Sequence, residues 1–136
     1  MQVKDGMSEV SVSVGPTHTL REAARMMVEK NTGAALVVDA DLPTPSIVTE
    51  RDLLISVSRG ENPDEERVGE HMSEGVITAE PSWSLEHAAA EMSRRGVRHL
   101  VVFDGGDAVG ILSMRDIVRV WTSAGATSEM EALRSP

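Results

Sequence analysis

Two short motifs combine residue types that can bind a phosphorylated sugar. Thr49-x-x-Asp52 lies in the first half of the chain, and Ser113-x-x-Asp116 repeats it in the second half. A hydroxyl can donate to a phosphate oxygen, and the two oxygens of a carboxylate can accept both hydroxyls of a ribose diol. If each motif begins a helix, the N–H groups of its first turn also favour an anion. The motifs therefore indicate two candidate sites for a phosphorylated sugar.

An arginine stands directly before each aspartate, as Arg51 and Arg115. The guanidinium group presents a planar fork of donors that suits phosphate. The same motifs also have a purely structural interpretation. A threonine or serine at an N-cap, followed by an acid, stabilises a helix start by about 0.5–2 kcal/mol without any ligand. The spacing alone leaves both interpretations open.

The residues around the first motif predict the elements that position it. Apolar spacing predicts a helix from Thr19 to Lys30, with Thr19 and Glu22 as a capping box. Gly33 is predicted to end this helix in the left-handed conformation. Short apolar runs predict strands at 34–38 and 46–48, and Thr49 then begins a second helix that runs to about Arg59. The predicted buried face of the first helix consists of Leu20, Ala23, Ala24, Met27 and Val28.

The second half of the chain repeats this order of elements. The segment from Pro16 to Ala24 reappears from Pro81 to Ala89, and the segment from Ile47 to Asp52 reappears from Ile111 to Asp116. The fold class is therefore predicted as α/β of the α+β type, with two tandem β-α-β-β-α repeats. One unit of this size could hardly bury its own apolar face, which predicts that the repeats pack about a pseudo-twofold axis. The predicted elements of the second half are a helix at 84–95, a strand at 97–103, a hairpin turn at 104–107, a strand at 108–112 and a helix from 113 to about 122. The predicted boundaries are 1–66 for the first repeat, 67–123 for the second and 124–136 for a C-terminal tail.

Composition excludes several classes of function. The formal net charge of -9 disfavours nucleic acid as a partner, and the chain has no cysteine. No apolar run approaches a membrane span, and the first residues lack the apolar core of a signal peptide, so a cytoplasmic location without a membrane partner is expected. The four histidines have no metal-ligand spacing, and no catalytic triad can be assembled. We therefore expect no enzyme activity, no catalytic residue and no metal.

The repeated motifs, in this order, resemble the cystathionine β-synthase (CBS) domain pair, also called a Bateman module. The resemblance covers most of the chain and implies a stand-alone regulatory protein. It implies two clefts between the repeats for AMP, ADP, ATP or S-adenosylmethionine, none of them obligatory, and a homodimer that acts through a regulated protein partner. The alternative is a ligand-free dimeric adaptor. The matching motifs are Pro16-x-x-Thr19-Leu20-x-x-Ala23 with Pro81-x-x-Ser84-Leu85-x-x-Ala88, the segment 33–38 with 97–102, and the segment 47–52 with 110–116.

The resemblance also implies roles for particular residues. Thr49, Asp52, Ser113 and Asp116 would hold phosphate and ribose, with Arg51 and Arg115 beside them. His99 would face a cleft and touch a phosphate. The adenine pockets would be lined by two extended segments that contain Val12 and Ser13 in the first half and Ile77 and Thr78 in the second half.

The two halves differ where a ligand would lie. Ala35 stands against His99, Ser46 against Gly110, and Val12 against Ile77. These differences predict unequal clefts, with the second half as the better site. The apolar second helices, at 53–57 and 117–121, are the predicted dimer interface.

Overall fold

The chain divides into two units, one of which is assembled from two separate stretches of sequence. The computed structural model describes residues 1–9, 12–74 and 76–124. A central unit consists of Val10–Val76, and a split unit combines Met1–Glu9 with the chain from Ile77 onward. In chain order the elements are α1 (Val3–Gly6), β1 (Ser8–Glu9), β2 (Ser13–Val14), α2 (Leu20–Glu29), β3 (Ala34–Val37), β4 (Ser46–Thr49), α3 (Glu50–Ser58), a 3₁₀ turn (Val68–Glu70), β5 (Thr78–Ala79), α4 (Leu85–Arg95), β6 (His99–Asp104), β7 (Asp107–Ser113) and α5 (Met114–Ala124).

Both units contain the predicted β-α-β-β-α order. The central unit has a sheet of order β2-β3-β4, in which β2 runs parallel to β3 and β4 runs antiparallel to β3. The split unit has the order β1-β7-β6-β5, in which β5 is parallel to β6 and the other pairs are antiparallel. The predicted fold class and the order of elements in each repeat are therefore confirmed.

Each unit has its own apolar core, built almost entirely from aliphatic side chains and methionine. The buried core residues of the central unit are Val12, Val14, Leu20, Ala23, Met27, Ala35, Val37, Val48 and Val68. Those of the split unit are Val3, Ala79, Leu85, Ala88, Met92, Leu100, Val102, Leu112 and Ile117.

The first helix of the central unit confirms most of its predicted buried face. Leu20, Ala23 and Met27 are buried, whereas Val28 is 80% exposed. At about 100° per residue, position 28 lies at the margin of the apolar stripe. The prediction for Val28 is therefore wrong, because a residue at the margin of a stripe need not contact the core.

The end of α2 also differs from the prediction. Asn31, with φ of 51°, takes the left-handed conformation that was predicted for Gly33. Asparagine tolerates this region better than most residues, since its short polar side chain can hydrogen-bond locally. In the split unit, Gly96 has φ of 67° at the end of α4, and Gly105 and Gly106 have positive φ in the predicted hairpin turn.

A short leading segment, which the sequence did not predict as structure, completes each core. Val3 of α1 is buried in the split unit, and Val68 of the 3₁₀ turn is buried in the central unit. The Val3 N–H donates to the Trp83 carbonyl at 2.8 Å, and the Val68 N–H donates to the His18 carbonyl at 2.8 Å. Each core is thus closed by the segment that leads into the other repeat.

The residues that follow the buried valine of each leading segment pair with the sheet, as the strand β1 in the split unit and as an isolated bridge in the central unit. Ser8 pairs with Ile111 in the split unit, and Ser73 pairs with Ile47 in the central unit. The contacts therefore group residues 1–9 with the second half of the chain and 67–76 with the first half. The predicted boundary between Glu66 and Arg67 describes the sequence repeat rather than this grouping. Of the predicted tail, residue 124 ends α5 and the rest lies outside the described residues.

None of the helices in the described part of the chain is both long enough and apolar enough to cross a membrane.

Gly110 provides a test of the leading segment of the split unit. A Cβ atom at this position would lie 2.7 Å from the Ser8 carbonyl oxygen and 2.9 Å from the Met7 sulfur. We expect Gly110→Ala to lower the free energy of unfolding by about 1–3 kcal/mol, because the backbone of β1 must move away from β7. Urea denaturation measures this difference.

Gly15→Ala is the matched control, because the nearest atom to its Cβ, the His18 Nδ1, lies at an ordinary contact distance of 3.6 Å. Equal stabilities for the Gly110→Ala variant and the wild type would contradict the close packing of β1 on β7.

Candidate functional site

The first motif lies where β4 ends and α3 begins. Thr49 is the N-cap residue of α3, and its N–H donates to Asp52 Oδ2 at 2.8 Å. The Thr49 hydroxyl donates to the same oxygen at 3.1 Å. Both side chains are half-buried. The local sequence forms this junction because a β-branched threonine suits the strand and its hydroxyl suits the cap.

The second motif forms the corresponding junction between β7 and α5. The Ser113 N–H donates to Asp116 Oδ2 at 2.9 Å, and the Asp116 N–H donates back to the Ser113 hydroxyl at 3.0 Å. Arg119 Nη2 lies 3.4 Å from Asp116 Oδ1 and 3.3 Å from the Gly6 carbonyl oxygen. The Asp116 carboxylate is therefore oriented on both sides by the protein itself.

These contacts agree with the purely structural interpretation of both motifs. Each aspartate accepts a hydrogen bond from the N–H of Thr49 or Ser113 at the start of its own helix. Each carboxylate can still accept further hydrogen bonds from a ligand, because it offers about four lone-pair sites. The cap also fixes the carboxylate beside the first N–H groups of a helix, which is where an anion is favoured. Arg51 and Arg115 follow in the first turns of α3 and α5, and both side chains are exposed.

The predicted adenine-binding segments form the first strand of each repeat, at the edge of its sheet. The Val12 carbonyl accepts from the Leu36 N–H at 3.0 Å, and the Ile77 carbonyl accepts from the Val101 N–H at 3.0 Å. Ser13 and Thr78 follow, with exposed side chains. The Val12 side chain is buried in the core of the central unit, which leaves Ser13 as the exposed residue of that pair.

The split unit differs at this edge, because Ile77 is half-buried and packs on the margin of the core. An apolar side chain with remaining exposure can contact a base, whereas a fully buried one cannot. The predicted difference between Val12 and Ile77 thus has a physical basis in burial as well as in size.

The order of the strands sets the distance between the two parts of each candidate site. In the central unit β3 separates Ser13 from Thr49, and in the split unit β6 separates Thr78 from Ser113. Two strand spacings, combined with an offset of two residues along the strands, amount to about 12 Å. Such a span suits a ligand with a base at one end and a phosphate at the other.

The strand register brings His99 to the second motif. His99 pairs directly with Ser113 across β6 and β7, and Ala34 pairs with Thr49 across β3 and β4. Ala34, and not Ala35, is therefore the counterpart of His99, and the predicted pairing was wrong by one residue. The difference of one residue lies in the connection between the paired strands, which advances by nine positions from Val37 to Ser46 and by eight from Val102 to Gly110.

A further difference between the two units, which was not predicted, lies at the first residue of each second helix. The Glu50 N–H donates to the Gly33 carbonyl, and the Met114 N–H donates to the Arg98 carbonyl, both at 2.9 Å. A Cβ atom on Gly33 would lie 3.1 Å from Glu50 Oε1, so this carboxylate lies over the glycine. The central unit therefore has an acid at the junction where the split unit has a methionine, a signal visible in the sequences that follow Thr49 and Ser113.

The other predicted difference, Ser46 against Gly110, has a structural cause. Gly110 accommodates the backbone of β1, as its blocked Cβ position shows. Ser46 is buried at the corresponding place in β4. The difference between Ser46 and Gly110 therefore reflects how each leading segment packs on its sheet.

The second helices present exposed apolar side chains. Leu54 and Val57 on α3 are 68% and 64% exposed, and Val118 and Trp121 on α5 are 49% and 61% exposed. Trp83, in contrast, is half-buried against the core of the split unit and lies edge-on to His87 at a ring distance of 4.2 Å.

Known proteins share both the sequence and the fold of this chain. The CBS domain family matches residues 2–59 and 68–123. An uncharacterized protein of Methanopyrus kandleri is 38% identical over 88% of this chain, which spans 62% of that protein. The CBS domain-containing protein YhcV of Bacillus subtilis is 31% identical, with coverage of 85% of this chain and 81% of YhcV.

Two similar solved structures contain ligands. A CBS domain protein of Pyrobaculum aerophilum complexed with AMP has a TM-score of 0.75 at 28% identity and covers 91% of this chain and 100% of its own. The CBS domain pair of protein MJ0100, in complex with 5′-methylthioadenosine and S-adenosylmethionine, has a TM-score of 0.79 at 25% identity and covers 90% of this chain and 97% of its own. The two family matches, the repeated strand–helix junctions and the shared fold together show that this chain belongs to the CBS domain family and carries a pair of CBS repeats.

Proposed function

We propose that this chain is a regulatory module that binds an adenosine nucleotide or S-adenosylmethionine and acts through a protein partner. The observation that carries the proposal is the repeated junction in which a capped carboxylate, a hydroxyl and a helix start lie two strands away from an edge strand of the sheet. The complexes of similar CBS proteins with AMP and with S-adenosylmethionine support this ligand class. AMP, ADP and ATP share the base and the ribose that such a site would recognise.

The site residues divide between base and phosphate. Asp52 and Asp116 would accept the ribose hydroxyls, because their carboxylates are oriented by the caps. Thr49 and Ser113 would donate to phosphate, with Arg51 and Arg115 as further donors. The exposed strand edges at Ser13 and Thr78 would meet the base. In the split unit the half-buried Ile77 side chain would contact it as well, whereas the buried Val12 side chain would only support its strand from the core.

The split unit is the stronger proposed site for the phosphate. His99 pairs with Ser113 there, and Met114 begins the helix without adding a negative charge. In the central unit Glu50 lies at the same junction and would repel an anion by like charge. The proposal assigns binding and no catalytic residue.

Binding of an adenosine ligand can be tested with the aspartate of the stronger site. Because a hydrogen bond to a charged group contributes about 1.5–3 kcal/mol, we expect Asp116→Ala to weaken affinity by about tenfold to 100-fold. Isothermal titration calorimetry with AMP, ADP, ATP and S-adenosylmethionine measures this, with thermal shifts as an independent readout.

Glu22→Ala is the matched control, since Thr19 and Glu22 form the same kind of capping box at the start of α2. It should lose helix stability and keep ligand affinity. The absence of a thermal shift with every one of these ligands at millimolar concentration would contradict the proposal.

The second candidate function is a ligand-free dimeric adaptor, and the exposed apolar side chains of α3 and α5 favour it. Exposed leucine and tryptophan on two helices are typical of surfaces that contact another protein. A homodimer formed by these helices is compatible with the sensor as well. The two functions differ in the effect of Asp116→Ala, which should cost the adaptor only helix stability.

Dimerisation through these helices predicts that a charge would break it. We expect Leu54→Glu and Trp121→Glu to convert a dimer to a monomer, because burying an unpaired carboxylate is costly. Multi-angle light scattering at micromolar concentration measures the mass. Val28→Glu is the control, since Val28 is an apolar residue of α2 with 80% exposure. A wild-type chain that is monomeric would contradict the proposed interface.

A further inference from the structure

A histidine and two glutamates converge where the chain leaves α3 in the central unit. Glu61, Glu66 and His71 each offer one ligand atom, and these atoms all lie within 4.8 Å of one another. His71 Nε2 is 2.9 Å from Glu66 Oε1. The His71 side chain is only 10% exposed and that of Glu66 is 23% exposed. This group, the Glu61–Glu66–His71 cluster, is thus largely withdrawn from solvent.

One oxygen in the cluster lacks a partner. Glu61 Oε1 is buried and accepts no hydrogen bond from any described residue. A buried carboxylate oxygen without a donor is costly, because it has lost its water and gained nothing in return. A cation bound at this position would supply the missing partner.

The backbone holds Glu61 in this position. Gly60, with φ of 76°, follows the end of α3. The Gly60 N–H donates to the Val57 carbonyl at 3.0 Å, and the Glu61 N–H donates to the Ser56 carbonyl at 3.2 Å. This pair of hydrogen bonds is the Schellman motif, which folds the chain back over the last turn of the helix. The Glu61 side chain is thereby directed towards Ser56.

The other two candidate ligands, Glu66 and His71, are held by turns in the segment that follows α3. The Glu66 N–H donates to the Asn62 carbonyl at 2.9 Å, and the Glu66 carbonyl accepts from the Leu20 N–H at 3.0 Å. The His71 N–H donates to the Val68 carbonyl at 3.0 Å, at the end of the 3₁₀ turn. All three candidate ligand side chains are therefore attached to hydrogen-bonded backbone. This lowers the entropic cost of bringing them together on one metal ion.

The other repeat has no such cluster among its described residues. Gly6 stands before Met7 as His71 stands before Met72, and Val120 occupies the place in α5 that Ser56 occupies in α3. A Cβ atom on Gly6 would lie 3.2 Å from Val120 Cγ2. The same position is thus packed with apolar groups in the split unit and lined with polar groups in the central unit.

We propose that Glu61, Glu66 and His71 bind one divalent transition-metal ion of the Zn²⁺ class. An imidazole nitrogen with carboxylate oxygens suits Zn²⁺, Co²⁺ or Ni²⁺, whereas Mg²⁺ and Ca²⁺ prefer oxygen ligands alone. Two carboxylates neutralise the charge of the ion. Water would complete the coordination.

The observed geometry needs only a small contraction. Nitrogen and oxygen ligands lie about 2.0–2.2 Å from Zn²⁺, so ligands that share one ion are about 3–4 Å apart. The His71 Nε2 and Glu66 Oε1 atoms, which are 2.9 Å apart, are already close to this spacing. Rotation of the Glu61 side chain would bring the third ligand atom into place.

The alternative is that the cluster binds no ion, and that His71 and Glu66 only hydrogen-bond to each other. The test uses the full chain, freed of metal with EDTA, and titrates Zn²⁺ by calorimetry and Co²⁺ by visible absorption. We expect one equivalent of each ion to bind, and Mg²⁺ to give no signal.

The variants Glu61→Gln and His71→Gln should each weaken Zn²⁺ binding by about 100-fold, because loss of even an outer partner of a metal ligand costs about 10–100-fold. Glu61→Gln keeps the shape of the side chain, and thermal unfolding in EDTA reports whether each variant is folded. His18→Gln is the matched control, since His18 and Glu22 form an exposed pair at 4.0 Å. A wild-type chain that binds no Zn²⁺, or His71→Gln and His18→Gln variants with equal affinity, would overturn the proposal.

Discussion

The packing of one valine from each leading segment is the interaction on which both units depend. Val68 completes the core of the central unit, and Val3 completes the core of the split unit. Full burial of a valine contributes about 1.5–3 kcal/mol, which is a large share of the stability of a small domain. The hydrogen bonds from the same residues to the His18 and Trp83 carbonyls hold the turn before the first helix of each repeat.

Because of this packing, the sequence repeats and the compact structural units contain different residues. A cut between Glu66 and Arg67 would separate Val68 from the core it fills. The long helices were predictable from their apolar periodicity, and the paired strands from their continuous apolar runs. The leading segments were not predicted, because a helical turn and a strand of two residues are too short to have a period. Their signal is the repeated pattern of Val3-x-x-x-Met7-Ser8 in Val68-x-x-x-Met72-Ser73.

The candidate site was predictable in its residue types and less so in its register. The junction residues Thr49 and Ser113 follow from the motif, because a cap and a strand end have local signals. The counterpart of His99 does not, since aligning Leu36 with Leu100 by residue type places Ala35 there, whereas the hydrogen-bonded ladder places Ala34 there. A register depends on the lengths of the connections, which residue types alone do not reveal.

The two copies show how one backbone can support different chemistry. At the helix start the exchange of Met114 for Glu50 changes the charge that an anion would meet. At the leading segment the exchange of Gly6 for His71 changes an apolar contact into a polar cluster. Glu61, Glu66 and His71 have no motif spacing, and they meet only because the Schellman turn at Gly60 and the 3₁₀ turn fold the connecting segment back. After duplication, the caps and core positions that each copy needs to fold would therefore be preserved. Positions that can vary without disrupting a core would be free to diverge.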